Sequence, residues 1–254
     1  MQTESVQKNF GILLDTCVSS DAKIGMVVGV PIEGMVNRLA VIKTRKKYKS
    51  DWHNQQVACL PTIAKLVRNN SVKLHKHMAL REESMRSPGS YGALRLGDLF
   101  DGLEIHHVHS AVNYHLFFDN EHALKNKYTL LEFCKWLIDG FTSKVIENLL
   151  AEEYLKPFEL KNLKNIERFR EICHGLSEKH FDDAFHLWTG ETNNLSHFLT
   201  TNRNFVQALK QNKSLVPTCK PVSPSELLIE FGIQPTEPLP FGYDKQYLLN
   251  GMEY

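Results

Sequence analysis

Two acidic positions, far apart in a chain of 254 residues, have the surroundings that metal chemistry needs. Phe10-Gly11-Ile12-Leu13-Leu14 reads as a short apolar strand, and Asp15-Thr16 follows it directly. Asp182 and Asp183 open a helical stretch through His186 and Trp188, and Phe198-Leu199 then reads as a strand ending in Thr200, Thr201 and Asn202. The neighbouring Glu82 and Glu83 offer a further acid. Carboxylates gathered at the carboxyl edge of an α/β sheet suit Mg²⁺ or Mn²⁺, because hard cations prefer oxygen ligands. Such ions activate water and stabilise the leaving oxygen of an in-line displacement on phosphate. Each acid also has a plain structural reading. An Asp after a strand caps a helix or makes a turn, and first-turn acids favour the positive end of a helix.

A sheet with helices on both faces is what would position these residues. Phe10 to Leu14 is apolar at nearly every position, as in a strand covered on both sides. Residues 20–42 are broken by Gly25, Gly29, Pro31 and Gly34. Val57, Leu60, Ile63, Ala64 and Val67 fall at helical spacing. Asn69-Asn70 predicts a turn, Ser71 to His77 a strand, and Met78 to Met85 the start of a helix. Ser87-Pro88-Gly89 marks a loop. Thr129 and Glu132 form a capping box ahead of Leu130, Phe133, Leu137, Phe141 and Val145, with Gly140 as an interruption. A helix is expected from Ile166 to Leu176, with Phe169, Ile172 and Cys173 inward. Cys219 to Val222 reads as a strand. Ser223 then caps a helix, with Pro224 at its first position and Glu226 completing the box. Beyond Gly232, the prolines at 235, 238 and 240 predict an extended tail. This order predicts a mainly parallel sheet whose ligands sit beyond the strands' carboxyl ends, where Asp15 and Asn202 fall.

Four blocks resemble the PIN-domain family of metal-dependent nucleases. They are Leu13-Leu14-Asp15-Thr16, Asp183-Ala184-Phe185-His186-Leu187, Phe198-Leu199-Thr200-Thr201-Asn202-Arg203-Asn204-Phe205, and Val222-Ser223-Pro224-Ser225-Glu226-Leu227-Leu228. The resemblance covers roughly residues 8–85 and 165–230. It implies one domain over 8–232 with a mostly helical insertion at about 87–165, and an extended tail at 233–254. The implied fold is a three-layer α/β/α sandwich with a mainly parallel central sheet. The implied activity is that of an endoribonuclease, with Mg²⁺ or Mn²⁺ held by Asp15, Glu82 and Asp183. The family's middle acid is usually a Glu opening the helix after the second strand. Glu82, four residues after Met78 and three before Met85, is expected on their buried face, and Glu83 more outward. Thr200 would hydrogen-bond a carboxylate, as its counterpart does in relatives. Asn202 stands where relatives often have Asp, so three carboxylates would hold one ion and weaken a second. His186, three residues after Asp183, would contact phosphate or tune the acid, or else be a satisfied buried histidine. The implied roles are toxin, defence or RNA-processing nuclease, and the partners are RNA, an antitoxin or other protein, or a second copy. The alternative is a catalytically weak PIN-fold module that binds RNA or protein.

Lys43, Arg45, Lys46, Lys47 and Lys49 make a dense basic segment around Tyr48, suited to tracking an RNA backbone, and Arg203 adds a phosphate contact beside the proposed edge. A charge run is also what a solvated loop looks like. The formal net charge is only +1, so any polyanion must meet a local patch. Five scattered cysteines without a CxxC pair predict neither disulfides nor a cysteine zinc site. The N-terminal residues lack a signal-peptide pattern and no apolar run is long enough for a bilayer, so a cytoplasmic protein is expected. His106, His107, His109 and His115 lack the helical pairing of a zinc site, and the stretch reads instead as a strand in the insert. Cys173-His174 diverge on a helix, which disfavours a thiol nucleophile. No glycine-rich phosphate loop occurs.

Overall fold

The computed structural model describes residues 10–31, 38–86, 97–117, 129–142, 144–147 and 155–254. The first part of the chain runs β1 (Phe10–Leu14), α1 (Thr16–Asp21), β2 (Gly25–Pro31), β3 (Arg38–Thr44), α2 (Asp51–Arg68), β4 (Val72–Lys76), α3 (Met78–Arg86) and β5 (Ile105–His107). A 3₁₀ turn (Tyr114–Phe117) leads to α4 (Leu130–Asp139), α5 (Pro157–Lys164), α6 (Ile166–Cys173) and a second 3₁₀ turn (Glu178–His180). The last part holds α7 (Phe181–Thr192), β6 (His197–Leu199), α8 (Arg203–Gln211), β7 (Lys220–Val222), α9 (Pro224–Glu230) and β8 (Gln246–Leu248).

Five parallel strands, in the order β5-β4-β1-β6-β7, form the central sheet. β1 lies in the middle, and its residues alternate between two cores, as strand geometry requires. Ile12 and Leu14 pack with Leu74, Leu199, the Val57–Leu60–Ile63 face of α2 and Leu227 and Leu228 of α9. Leu13 packs on the opposite side with Phe198, Phe133 of α4, Phe169 of α6, Phe185 and Trp188 of α7 and Phe205 of α8. The protein is therefore the three-layer α/β/α sandwich that the strand and helix order predicts. The chain leaves β1 toward β4 on one side and later returns to place β6 on the other. The strand order thus switches at β1/β6, the point where ligands bind in open α/β sheets.

Local signals account for most of the element boundaries. Both expected capping boxes form, Thr129 with Glu132 at α4 and Ser223 with Glu226 at α9. Two regions are organised differently from the sequence expectation. β5 lies inside the stretch read as an insertion, yet it pairs with β4 through Leu74–Ile105 and extends the central sheet. The same stretch supplies α4, whose Phe133 and Leu137 are fully buried. The histidine-rich stretch is a strand, as its reading predicts, but three residues with two histidines carry too little apolar pattern to place it in the central sheet. The second region is the broken stretch from 20 to 42. It holds β2 and β3, which form a separate antiparallel sheet, and the C-terminal tail joins that sheet through β8, with Ile42 opposite Tyr247.

Helix α7 presses unusually close to the sheet at Gly190, where an added Cβ would lie 2.6 Å from the buried Cys219 sulfur. Alanine is intrinsically better in a helix by about 1 kcal/mol, but overpacking of this kind costs about 1–3 kcal/mol. Gly190→Ala is therefore expected to lower unfolding stability by about 1 kcal/mol net. Adding Cys219→Ala removes the obstructing sulfur. In urea denaturation the double variant should lose less than the sum of the two single losses. Strict additivity would show that the close approach is unimportant.

Candidate active site

One cleft of about 260 Å³ opens at the carboxyl edge of the sheet, lined by Asp15, Thr16, Cys17, Glu83, Lys179, Asp182, Asp183, His186 and Asn202. The fold brings these residues together for simple reasons. Asp15 follows the central strand β1 and caps α1. Glu83 lies on α3, directly after β4. α7 runs back toward β6, so its first turn, with Asp182 and Asp183, lies at the same edge. Asn202 ends the segment after β6 and caps α8 through Phe205 N–H at 3.2 Å.

Three of the carboxylates are held by their own donors. Asp15, only 4% exposed, accepts from the buried Thr200 hydroxyl at 2.5 Å and from the Cys17 thiol at 2.8 Å, both on Oδ2. Thr16 Oγ1 donates to Glu83 Oε2 at 2.7 Å, and His186 Nε2 bonds Glu83 Oε1 at 3.0 Å. Asn202 Nδ2 donates to Asp183 Oδ2 at 2.9 Å, and His180 Nδ1 lies 3.3 Å from the same oxygen. Asp182 Oδ1 is buried without a hydrogen-bond partner.

Burial, and after it the crowding of like charge, shapes the electrostatics. Burial and then the negative charge of Asp15, Asp182 and Glu83 push the Asp183 carboxyl up to about 8, against the pull of His186. Burial and Glu83 likewise raise Asp182. Burial alone would lower His186, but its hydrogen bond to Glu83 and the charges of Glu83, Asp15 and Asp183 outweigh that and raise it. Burial and then Asp15 hold the Cys17 thiol well above its ordinary value, so it stays protonated and serves as a donor.

The oxygen donor set, the partnerless Asp182 oxygen and the shortage of positive charge fit a hard divalent cation. Among the described residues, no three His, Cys, Asp or Glu side chains already form a metal-binding group. Asp15, Glu83 and Asp183 line the cleft with oxygens engaged in hydrogen bonds, and an ion would replace some of these.

Asp15, Asp183, His186 and Asn202 thus lie in one cleft, and Thr200 beneath it holds Asp15. Glu82 does not line it. Its carboxylate is taken by the Tyr114 hydroxyl and by His115 Nε2 at 2.8 Å, and Glu83 occupies the cleft instead. The expected buried face of α3 is also corrected, since Met78 is 56% exposed while Ala79 and Leu80 are buried. Glu83 follows Ala79 by four residues and Leu80 by three, so those two apolar residues were the signal for the acid that faces the cleft, although Glu82, 21% exposed against 31% for Glu83, is the more buried of the two as expected. Met85's side chain lies outside the described residues. Asp182, read in the sequence alongside Asp183, also lines the cleft, as do Cys17 and Lys179, which were not singled out in the sequence. His106 and His107 sit on β5, where His106 stacks on His75 at 5.3 Å. Cys173 is buried, and burial raises its thiol.

The basic segment divides in two. Lys43 is exposed on β3. Arg45 is drawn inward, 3.6 Å from Asp21 and with its guanidinium 3.9 Å above the Tyr48 ring. The Tyr48 hydroxyl bonds the same Asp21. Lys46, Lys47 and Lys49 remain exposed. Arg203 follows Asn202 directly and lies 5.6 Å from the Trp52 ring, at the start of α2. Thr201 Oγ1 donates to Asp21 at 2.8 Å, tying this basic corner to the segment that carries Asn202.

The raised Asp183 value sets a pH dependence. Between its ordinary 3.8 and about 8, the folded protein keeps a proton that the unfolded chain has lost. Stability therefore falls as pH rises through that window. His186, also raised, adds stability at low pH that is lost as pH rises, in the same direction. Without divalent ions, urea unfolding at pH 5, 6.5 and 8 should show declining stability, and Asp183→Asn should flatten the decline. An identical slope in the variant would contradict the crowded-acid description.

No family model matches this chain, and no curated protein or solved structure matches it either. The resemblance to PIN domains rests on the sequence blocks around Asp15, Asp183, Phe198 and Val222.

Proposed function

We propose that this chain is a metal-dependent endoribonuclease in which Asp15, Glu83 and Asp183 hold Mg²⁺ or Mn²⁺ at the carboxyl edge of the sheet. The observation that carries this reading is Asp183, a carboxyl pushed to about 8 by burial and by the acids around it. Such a cluster favours the binding of a multivalent cation. When bound, the ion supplies Lewis acidity and an activated water for in-line attack on phosphate.

The chain's own residues do the positioning. Thr200 and Cys17 hold Asp15, Thr16 and His186 hold Glu83, and Asn202 holds Asp183. Lys179, exposed at the cleft, offers positive charge to a phosphate. Lys46, Lys47 and Lys49 are exposed on the segment whose Arg45 is joined through Asp21 to Thr201, and Arg203 follows Asn202, an arrangement that suits a polyanion meeting both. RNA as the substrate comes from the PIN resemblance.

Asn202 supports a second reading, a PIN-fold module that binds RNA without cutting it. Its amide donates to Asp183 at the position where relatives often carry another acid.

Labelled single-stranded RNA incubated with Mn²⁺ or with EDTA separates the two readings. We expect EDTA-sensitive cleavage that falls at least about 100-fold in Asp15→Asn, Glu83→Gln and Asp183→Asn, as loss of a charged metal ligand implies. Glu82→Gln should stay within a few-fold of the parent. Binding without cleavage selects the second reading. Cleavage indifferent to EDTA or to these variants would sink the first. Replacing Lys46, Lys47 and Lys49 with alanine should weaken RNA binding and reduce the salt slope, by up to about 0.7 per lost phosphate contact on a single strand.

A further inference from the structure

Behind the cleft, a file of hydrogen-bonding side chains runs into the core. Ser110 Oγ lies 2.8 Å from His77 Nδ1, and His77 Nε2 lies 2.9 Å from His186 Nδ1. His186 Nε2 in turn bonds Glu83 Oε1 at 3.0 Å. Two imidazoles this deep are unusual, since His77 is completely buried and His186 is 2% exposed. His77 follows β4 directly and so lies on the strand connection that leads to Glu83, while His186 lies on α7 with Asp183. We propose that His77 is a positioning residue for the cleft, fixing the ring of His186 so that its Nε2–H holds Glu83 in place for the metal. The role of Glu83 in this statement rests on the nuclease reading above.

The hydrogen-bond inventory leaves little freedom. An ionised Glu83 only accepts, so His186 must carry a proton at Nε2. His186 Nδ1 then faces His77 Nε2, and that contact works in either protonation state. A charged His186 donates to His77, which passes a proton donor on to Ser110. A neutral His186 accepts from His77, which then accepts from Ser110. Both arrangements keep Nε2–H on Glu83, so the positioning does not depend on which one is populated. Without His77, the buried Nδ1 loses its partner, a loss that costs the full desolvation of that group. The ring could then turn to find another partner and release Glu83. Partners that orient a metal-binding side chain are typically worth 10–100-fold in metal affinity or activity.

The test uses His77→Leu, His77→Gln and Ser110→Ala in the full chain, each checked for folding by thermal melting. Two readouts are taken. The first is the Mn²⁺ concentration giving half-maximal RNA cleavage. His77→Leu should raise it about 10-fold or more while KM for RNA changes less than about two-fold. His77→Gln, whose amide can still meet His186 Nδ1, should recover part of the loss. The second readout is the long-range ¹H–¹⁵N spectrum of His186 in metal-free protein. It should report a proton fixed at Nε2 in the parent and an altered ring signature in His77→Leu. This arm decides the positioning claim even if the parent cuts no RNA, an outcome that counts against the nuclease reading alone. If His77→Leu does not fold, His77→Gln and Ser110→Ala carry both readouts, with smaller shifts expected. An unchanged His186 signature together with an unchanged Mn²⁺ requirement in the folded variants would overturn the proposal.

Discussion

The bond from the Thr200 hydroxyl to the buried Asp15 carboxylate is the constraint on which the cleft depends. A carboxylate this deep needs donors, because its desolvation is otherwise prohibitive. Thr200 supplies one from the end of β6, and Cys17 supplies another from the first turn of α1. One residue further on, Thr201 makes the equivalent bond to Asp21 at the far end of the same helix. Helix α1 is thus tied at both ends to the segment after β6. That double tie closes the sheet's switch point and places Asp15, Asn202 and the basic corner on one continuous edge.

Around that fixed carboxylate the protein tolerates a crowd of negative charge that burial alone would oppose. The buried His186 offsets part of it, while burial and then the charges of Asp15, Asp182 and Glu83 raise the Asp183 carboxyl. A neutral His77 fits the same balance, because burial and then the neighbouring His186 charge hold it well below the ordinary histidine value. The fold therefore carries a local electrostatic cost exactly where positive charge from a ligand can enter, in keeping with the tendency of perturbed groups to gather at functional sites.

Much of the architecture was readable from local chemistry. The apolar run of β1, the capping boxes at Thr129 and Ser223, and the helical spacing in α2 each arise within a few residues, so a linear reading reaches them. β5 was not readable as part of the central sheet, because its pairing with β4 is a long-range backbone contact at the sheet edge, and its three residues, none of them buried, carry no pattern that specifies it. Which of Glu82 and Glu83 lines the cleft was hidden for a related reason. Helix phase is set by which side chains the rest of the core covers, and Met78, an apolar residue, turned out to face solvent.

The sequence by itself determined the candidate acids Asp15 and Asp183 and the order of β1, β4, β6 and β7 with the helices between them, since these reside in residue type and short-range spacing. Only the tertiary structure decided that Glu83 enters the cleft, that Arg45 turns inward to Asp21 while the neighbouring lysines stay out, and that His77 stands behind His186. Those choices join residues between 24 and 109 positions apart. Contacts over such separations are fixed by packing and by the need to satisfy buried polar groups, and neither leaves a local mark in the chain.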